Sequence, residues 1–384
     1  MWRAVASNAL TVLLVVLFLV GGVILWGQRQ FSAEGPLTQA ICVRVERGSS
    51  MSRVSRDLEE RGAISSGVVF RLGAEYTEKS EKLKAGSFRV PEGATMEEII
   101  DIVTRGGASS CGTEVVYRIG VTTSAILVRE LDPTTNRYEE KAAFDPATEE
   151  APEAFTTVRA QADTRYRISM VEGVTSWQVV DTLKRVDVLE GEVKTVPAEG
   201  VLTPDSYEVS VGDSRVSVLE RMQEAQGEIL AAAWQNRMDG LPLKTPEEAL
   251  ILASIIEKET GVPEERRQVA SVFINRLEKG MRLQTDPTVI YGITKGEGIL
   301  GRGLRQSELR RATPWNTYVI EGLPPTPIAN PGRASIEAAL NPDSTDYVFF
   351  VADGSGGHAF AATLEEHNAN VAKWRRIEAE RVNQ

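Results

Sequence analysis

Hydrophobic and polar positions divide the chain before any motif is sought. Residues 9–27, ALTVLLVVLFLVGGVILWG, carry no charge, and a run of that length spans a bilayer as a helix. It is longer than the apolar core of a secretory signal and no small-residue cleavage pattern follows it closely. An uncleaved anchor is therefore expected, with a cleaved signal peptide as the alternative. Trp2 and Trp26 bracket the run as interfacial residues do, and the short stub 1–8 reads as the inside end, which puts the bulk of the chain outside the cytoplasm. Residues 28–40 read as a linker.

A strand–turn–helix pattern then recurs in VRVERGSSMSRVSRDL, FRVPEGATMEEIIDIV, ISMVEGVTSWQVVDTL and YEVSVGDSRVSVLERM. Each copy has an alternating stretch, a glycine (Gly48, Gly93, Gly173, Gly212) and a Ser or Thr two residues on (Ser50, Thr95, Thr175, Ser214). Apolar residues follow at six and ten after the glycine: Val54 and Leu58, Ile99 and Val103, Val179 and Leu183, Val218 and Met222. The glycine supplies turn freedom, the hydroxyl caps a helix, and the spaced apolar residues make one face that needs a neighbour to cover it. The pairs occupy 41–107 and 165–244, the second including a connecting helix over 218–244. Between them, 108–164 is an insert. CGTEVVYRIG and AILVREL alternate as a hairpin, and the acidic stretch TTNRYEEKAAFDPATEEAPEAF reads as a flexible loop.

The last segment, 245–384, opens on a helix. Thr245, Pro246 and Glu248 give a capping box with proline in the first turn, residues 249–256 are almost wholly apolar, and Gly261 and Pro263 end it. Such a helix is buried on most sides. Glu257 and Glu259 close it about 100° per residue apart, so they point to nearly opposite sides. Glu259 continues the line of Leu252, Ile255 and Ile256, while Glu257 lies nearer Leu250 and Ala253. A carboxyl on the bulky stripe is desolvated and its pKa rises, as a general acid at neutral pH requires; the alternative is that both simply end the helix in solvent. A second amphipathic helix, 264–279, turns Val269, Val272, Phe273 and Leu277 inward beside Asn275 and Arg276. In MRLQTDPTVIYG, the polar Gln284, Thr285, Asp286 and Thr288 either line a saccharide cleft or make a tight Asp–Pro turn. Residues 315–330 form a proline-stiffened loop, 347–362 a hairpin with His358 on its return strand, and Thr363 with Glu366 caps a final helix.

Composition narrows the chemistry. The 384 residues are 42% hydrophobic and 25% charged, with a formal net charge of −11. No basic patch stands out, so nucleic acid is not an expected partner. Cys42 and Cys111 could pair in an oxidising compartment, although nothing in the sequence aligns them. With His358 and His367 the only histidines, a three-histidine zinc site is impossible, and H-E-x-x-H and G-x-S-x-G are absent. Gly296–Gly301 fits G-x-G-x-x-G but lacks the surrounding βαβ unit, so it reads as a glycine-rich loop at a cleft edge. No cofactor or metal is expected. The fold class is α+β.

ILASIIEKETG, VASVFINRLEKGMRLQTDPTVIYG, NTYVIEGLPPTPIANPG and YVFFVADGSGGHAF, in this order, resemble the endolytic murein transglycosylases of the MltG (YceG-like) family, densely over 250–370. The resemblance implies that Glu259, the second acid of E-K-E-T, is catalytic, and that Asn275, Gln284, Asp286, Thr288, Asn316, Tyr318 and His358 are candidates for binding substrate. It implies LysM-like subdomains in the repeats, which either bind glycan or space the catalytic part from the membrane. It further implies a single-pass protein of the bacterial inner membrane with its bulk in the periplasm, close to the glycan-synthesising enzymes. The implied reaction is cleavage of the MurNAc-β-1,4-GlcNAc bond within nascent glycan strands, leaving a 1,6-anhydroMurNAc end and terminating strand elongation. Two other readings are a hydrolytic muramidase, with Asp286 as second carboxylate, and a non-catalytic peptidoglycan-binding scaffold.

Overall fold

The computed structural model describes residues 2–106, 109–161 and 163–382; the expected boundary at 107/108 lies outside the described residues. The chain divides into two compact units, Met1–Val116 with Leu127–Phe144 and Glu149–Arg165, and Tyr117–Ile126 with Asp145–Thr148 and Tyr166–Gln384.

In the first unit, α1 (Trp2–Ser32) is the apolar helix, and Leu10–Ser32 is long and apolar enough to cross a membrane. Its last turns take up the start of the expected linker. β1 (Ile41–Val45), α2 (Met51–Glu60), α3 (Gly67–Tyr76), β2 (Gly86–Val90) and α4 (Met96–Thr104) follow. β1 pairs antiparallel with β2, Cys42 opposite Arg89. Cys42 and Cys111 form a disulfide, with their Cα atoms 5.7 Å apart. β3 (Thr113–Ile119), β4 (Ser124–Asp132) and β5 (Arg137–Phe144) lie side by side in that order, the end of β3 and the start of β4 being counted with the second unit. The stretch expected as a flexible loop is thus a third strand. Its polar side chains face solvent, but Phe144 is buried and packs edge-on against Phe155 of α5 (Glu153–Arg159), with ring centroids 5.2 Å apart. That aromatic contact fixes a sequence whose composition alone argues for disorder.

In the second unit, β6 (Arg165–Met170), α6 (Ser176–Arg185), β7 (Ser206–Val209) and α7 (Arg215–Gln235) form the second pair of repeat copies. β6 runs antiparallel to β7, Ile168 opposite Tyr207. All the repeat glycines have left-handed backbone: φ is 79° at Gly48, 67° at Gly93, 79° at Gly173 and 92° at Gly212. Ser50, Thr95, Thr175 and Ser214 each accept a first-turn amide as N-cap. The eight apolar positions of the pattern are each 5% exposed or less. The fourth repeat helix and the connecting helix are one continuous helix, α7, which runs through Gly227 with no proline to interrupt it.

α8 (Pro246–Glu259) forms the middle of the second unit's core. Every residue from Ala249 to Ile256 is buried. α7, α9 (Arg266–Glu278, after a 3-10 turn at Pro263–Glu265) and α12 (Arg333–Leu340) pack around it. Burying each of its Leu and Ile side chains contributes about 1.5–3 kcal/mol, so the position of the helix end is set by tertiary packing. At its start Thr245 caps the Glu248 amide, but the Glu248 carboxylate accepts from the Lys244 amide at 2.5 Å and not from the cap residue. α10 (Asp286–Thr294) is a helix where a turn or an irregular cleft segment was expected; Pro287 sits in its first turn, where a missing N–H costs nothing. α11 (Gln306–Leu309), β8 (Phe349–Ala352), β9 (His358–Ala361) and α13 (Leu364–Val382) complete the unit, and β8 and β9 form the expected hairpin.

Candidate active site

The two acids that end α8 have different surroundings. Glu257 accepts the Gly332 amide at 3.0 Å and pairs with Arg266 at 3.8 Å. It holds the start of α12 and is structural. Glu259, half-buried, accepts a hydrogen bond from the Thr285 hydroxyl through its Oε1. Burial raises its pKa above the ordinary carboxylate value. The Thr285 bond opposes this, the charge of Asp286 adds to it, and His358 and Arg276 pull the other way.

Thr285 is held by a set of buried hydroxyls. Its amide donates to Thr317 Oγ1 at 3.0 Å, and Thr288 Oγ1 donates to the Thr285 carbonyl at 2.7 Å while lying 2.8 Å from Thr317 Oγ1. The Gln284 amide donates to the Thr317 carbonyl at 3.2 Å. These bonds pin the turn into α10 against the loop at 316–318. On that loop Tyr318 donates its phenol to Asp286 Oδ1 at 2.7 Å. Burial first, then the bond to Asp286, pushes the Tyr318 pKa well up, so the phenol keeps its proton.

The sequence-expected residues fall into two groups. Glu259, Asp286, Tyr318 and His358 come within electrostatic reach of one another, and the exposed Gln284 adjoins them with left-handed backbone, φ 50°. Thr288, Asn316 and Asn275 form the second group, with polar groups bonded within the protein. Thr288 and Asn316 are fully buried. Asn316 Nδ2 donates to the carbonyls of Glu308, Leu309 and Arg311, and its Oδ1 accepts the Tyr318 amide. Asn275 Nδ2 donates to the Thr345 and Tyr347 carbonyls at 2.8 Å each. They shape the loops that carry the site.

Three contributors were not singled out from the sequence. Arg276 is buried, donates through Nε to the Val348 carbonyl at 2.6 Å and through Nη1 to that of Leu283 at 2.7 Å, and lies over the Phe349 ring. Glu265 holds His358 by both its amide and Nδ1, at 2.8 Å each. Thr317 closes the hydroxyl set. Their partners are distant in sequence, so no local spacing announces them. Among the described residues no group of His, Cys, Asp and Glu is arranged to hold a metal.

A desolvated carboxyl fixed at the end of a buried helix, with a hydroxyl donor and a neighbouring acid–phenol pair, is equipment for proton transfer in an α+β protein. The chain belongs to the YceG-like family, whose family model matches residues 43–373. It is 29% identical over 357 residues to an endolytic murein transglycosylase of Bacillus subtilis (strain 168), covering 93% of this chain and 91% of that one. It is 24% identical over 340 residues to an endolytic murein transglycosylase of Streptococcus pneumoniae serotype 2, covering 87% of this chain and 58% of that one. A solved yceG-like protein of Listeria monocytogenes aligns with 86% of this chain and 99% of its own at 26% identity and a TM-score of 0.43.

Proposed function

We propose that this protein is an endolytic peptidoglycan lytic transglycosylase, anchored by α1, that cleaves the MurNAc-β-1,4-GlcNAc bond inside nascent glycan strands and so terminates their elongation. The observation that carries this reading is the Glu259 carboxyl, whose burial favours its protonated form. Protonated Glu259 gives its proton to the glycosidic oxygen as the bond from the muramyl anomeric carbon breaks. The muramyl 6-hydroxyl then attacks that carbon and returns its proton to Glu259, so one carboxyl serves as acid and then base, no water is consumed, and a 1,6-anhydro end forms. Tyr318 and Asp286, joined at 2.7 Å, and the exposed Gln284 supply hydrogen-bonding groups for sugar hydroxyls and acetamido groups. Asn275, Thr288 and Asn316 act as positioning residues. The disulfide fits a periplasmic location, and the repeat pairs fit a LysM-like role near glycan strands and the enzymes that make them.

The test is Glu259→Gln in the full chain, assayed on isolated glycan strands by mass spectrometry. Product formation falls at least about 10²-fold while the circular-dichroism melt stays cooperative. Full activity in this variant, or products heavier by one water in the unaltered protein, would overturn the reading.

A further inference from the structure

The second unit carries two cavities that share a wall. One, of about 330 Å³, follows α10 from Pro287 through Ile290 and Tyr291 to Thr294. The other, of about 240 Å³, lies between the Thr122–Ser124 turn, Trp177 and Asp181 of α6, and Ile299. Gln178, Gly298 and Ile299 line both, so the two form one trough. It begins at the residue after Asp286. The nine residues of α10 alone span about 13 Å, longer than one sugar ring.

The floor of the trough is rigid and one edge is open. Gln178 is held at both ends of its amide, donating to the Val121 carbonyl at 2.8 Å and accepting the Thr175 amide at 3.0 Å. Ser124 and Thr182 hydroxyls lie 3.0 Å apart, and Asp181 pairs with Arg185 at 2.7 Å. The glycine-rich loop is anchored at its root, where the Gly296 carbonyl accepts the Thr175 hydroxyl at 2.7 Å. A Cβ on Gly296 would come within 3.2 Å of Thr175, Glu199 and Tyr291, whereas Gly298 has nothing within 4 Å. Beyond it Ile299 is 59% exposed, at the lip shared by the two cavities.

We propose that this trough is a distal saccharide subsite that holds the glycan strand several sugars away from the bond addressed by Glu259, with Trp177 and Ile299 as the apolar surfaces for sugar rings. The proposal rests on the transglycosylase reading above. A pyranose has an apolar C–H face and a rim of hydroxyls. It therefore fits a trough with an indole and an aliphatic lip flanked by fixed amide, hydroxyl and carboxylate groups. Binding energy gained there, remote from the reacting atoms, can be used to orient and distort the sugars at Glu259. An occupied trough also requires chain well beyond the cut, which favours internal over terminal cleavage.

The experiment uses the full chain carrying Glu259→Gln, titrated calorimetrically with peptide-free glycan strands, one a single disaccharide and one a long oligomer. The short ligand cannot span the Glu259 site and the trough together and serves as internal control. The long strand binds tighter by on the order of tenfold or more, and adding Trp177→Ala or Ile299→Asp removes most of that ratio. If both variants keep the full ratio, or if no ratio exists before they are introduced, the subsite is refuted. Ile299 is exposed, so its replacement decides the matter even if Trp177→Ala fails to fold. The two readings fail separately. If the Glu259→Gln chain shows the long-strand ratio but the unaltered protein forms no anhydro product, the activity alone is refuted; if the unaltered protein forms the product but the ratio is missing, the subsite alone is refuted.

Discussion

Thr285 gives its hydroxyl proton to Oε1 of Glu259 across 26 residues of chain, tying the carboxyl that closes α8 to the turn that opens α10. This bond favours the charged carboxylate, while burial favours the neutral acid more strongly. Thr285→Val therefore raises the Glu259 pKa further. In the proposed reaction the acid form protonates the leaving oxygen, so the alkaline limb of the pH–rate profile moves to higher pH. The rate at the optimum falls about tenfold, as expected for losing one hydrogen bond of about 1.5 kcal/mol. A limb that stays in place or moves down would contradict the assignment.

Asp286 acts in the opposite direction. Its charge raises the Glu259 pKa, so Asp286→Asn lowers it and the alkaline limb moves to lower pH. The paired measurement, one variant shifting the limb up and the other down, distinguishes titration of Glu259 from general damage to the site.

Stability should report the same carboxyl. The folded-state pKa of Glu259 is raised by burial. Below the ordinary carboxylate range both folded and unfolded chains keep the proton, and the preference of the fold for the neutral acid is fully present. As pH rises the unfolded chain ionises first, and this contribution is lost until the folded pKa is passed. Glu172 and Glu199 are also shifted up by burial and contribute with this sign, whereas hydrogen bonds hold Glu308, Glu247, Asp132 and Asp353 down and these contribute with the opposite sign. Glu259→Gln removes the Glu259 share alone. Compared by thermal melts, the variant gains on the unaltered protein as pH is raised from the ordinary carboxylate range towards neutrality. A constant difference across that range would mean that Glu259 ionises freely in the fold.

The disulfide closes a sequence separation of 69 residues. Loop-closure entropy for that length puts its stabilisation at about 4 kcal/mol in the first unit. The double substitution of Cys42 and Cys111 by Ser lowers the calorimetric transition of the first unit and leaves that of the second in place. An unchanged scan would show that the bridge does not form in solution.

Asn330 is fully buried, with Oδ1 accepting the Leu202 amide and Nδ2 donating to the Val174 carbonyl, each at 2.9 Å. It locks the loop before α12 to the Gly173 turn. Asn330→Ala leaves the Leu202 amide unpaired, while the Val174 carbonyl keeps the Asn330 amide, and destabilises the second unit by about 1–3 kcal/mol, seen as a lower urea midpoint at unchanged slope. An unaltered midpoint would show that the loop closes without it.

Local chemistry made much of this protein legible. Gly173, Thr175, Val179 and Leu183 announce their turn, cap and buried face because each property depends on a few neighbouring residues, and the other repeat copies behave likewise. Gly280 and Gly261 mark the ends of helices for the same reason. β5 was hidden because Phe144 is its only fully buried side chain and the partner, Phe155, belongs to another element. α10 was hidden because Asp–Pro opens a helix as readily as a turn.

At the site, periodicity placed Glu259 on the apolar line of α8, and the motif order placed Gln284, Asp286, Tyr318 and His358 nearby. It did not separate side chains that offer hydrogen bonds from those that have spent them. Asn316, Thr288 and Asn275 are polar in a polar stretch, and only their backbone and hydroxyl partners, up to 72 residues away, reveal that they face inward.

Sequence alone determined the apolar span, the repeat with its strands and helices, and the candidate acid at the end of α8, since these follow from the spacing of side chains along one chain. Tertiary structure decided that Thr285 meets Glu259, that Glu265 holds His358, that Cys42 meets Cys111, and that α6, α10 and the glycine-rich loop enclose a trough. Such encounters depend on how separate segments pack, and no local pattern encodes the distance between them.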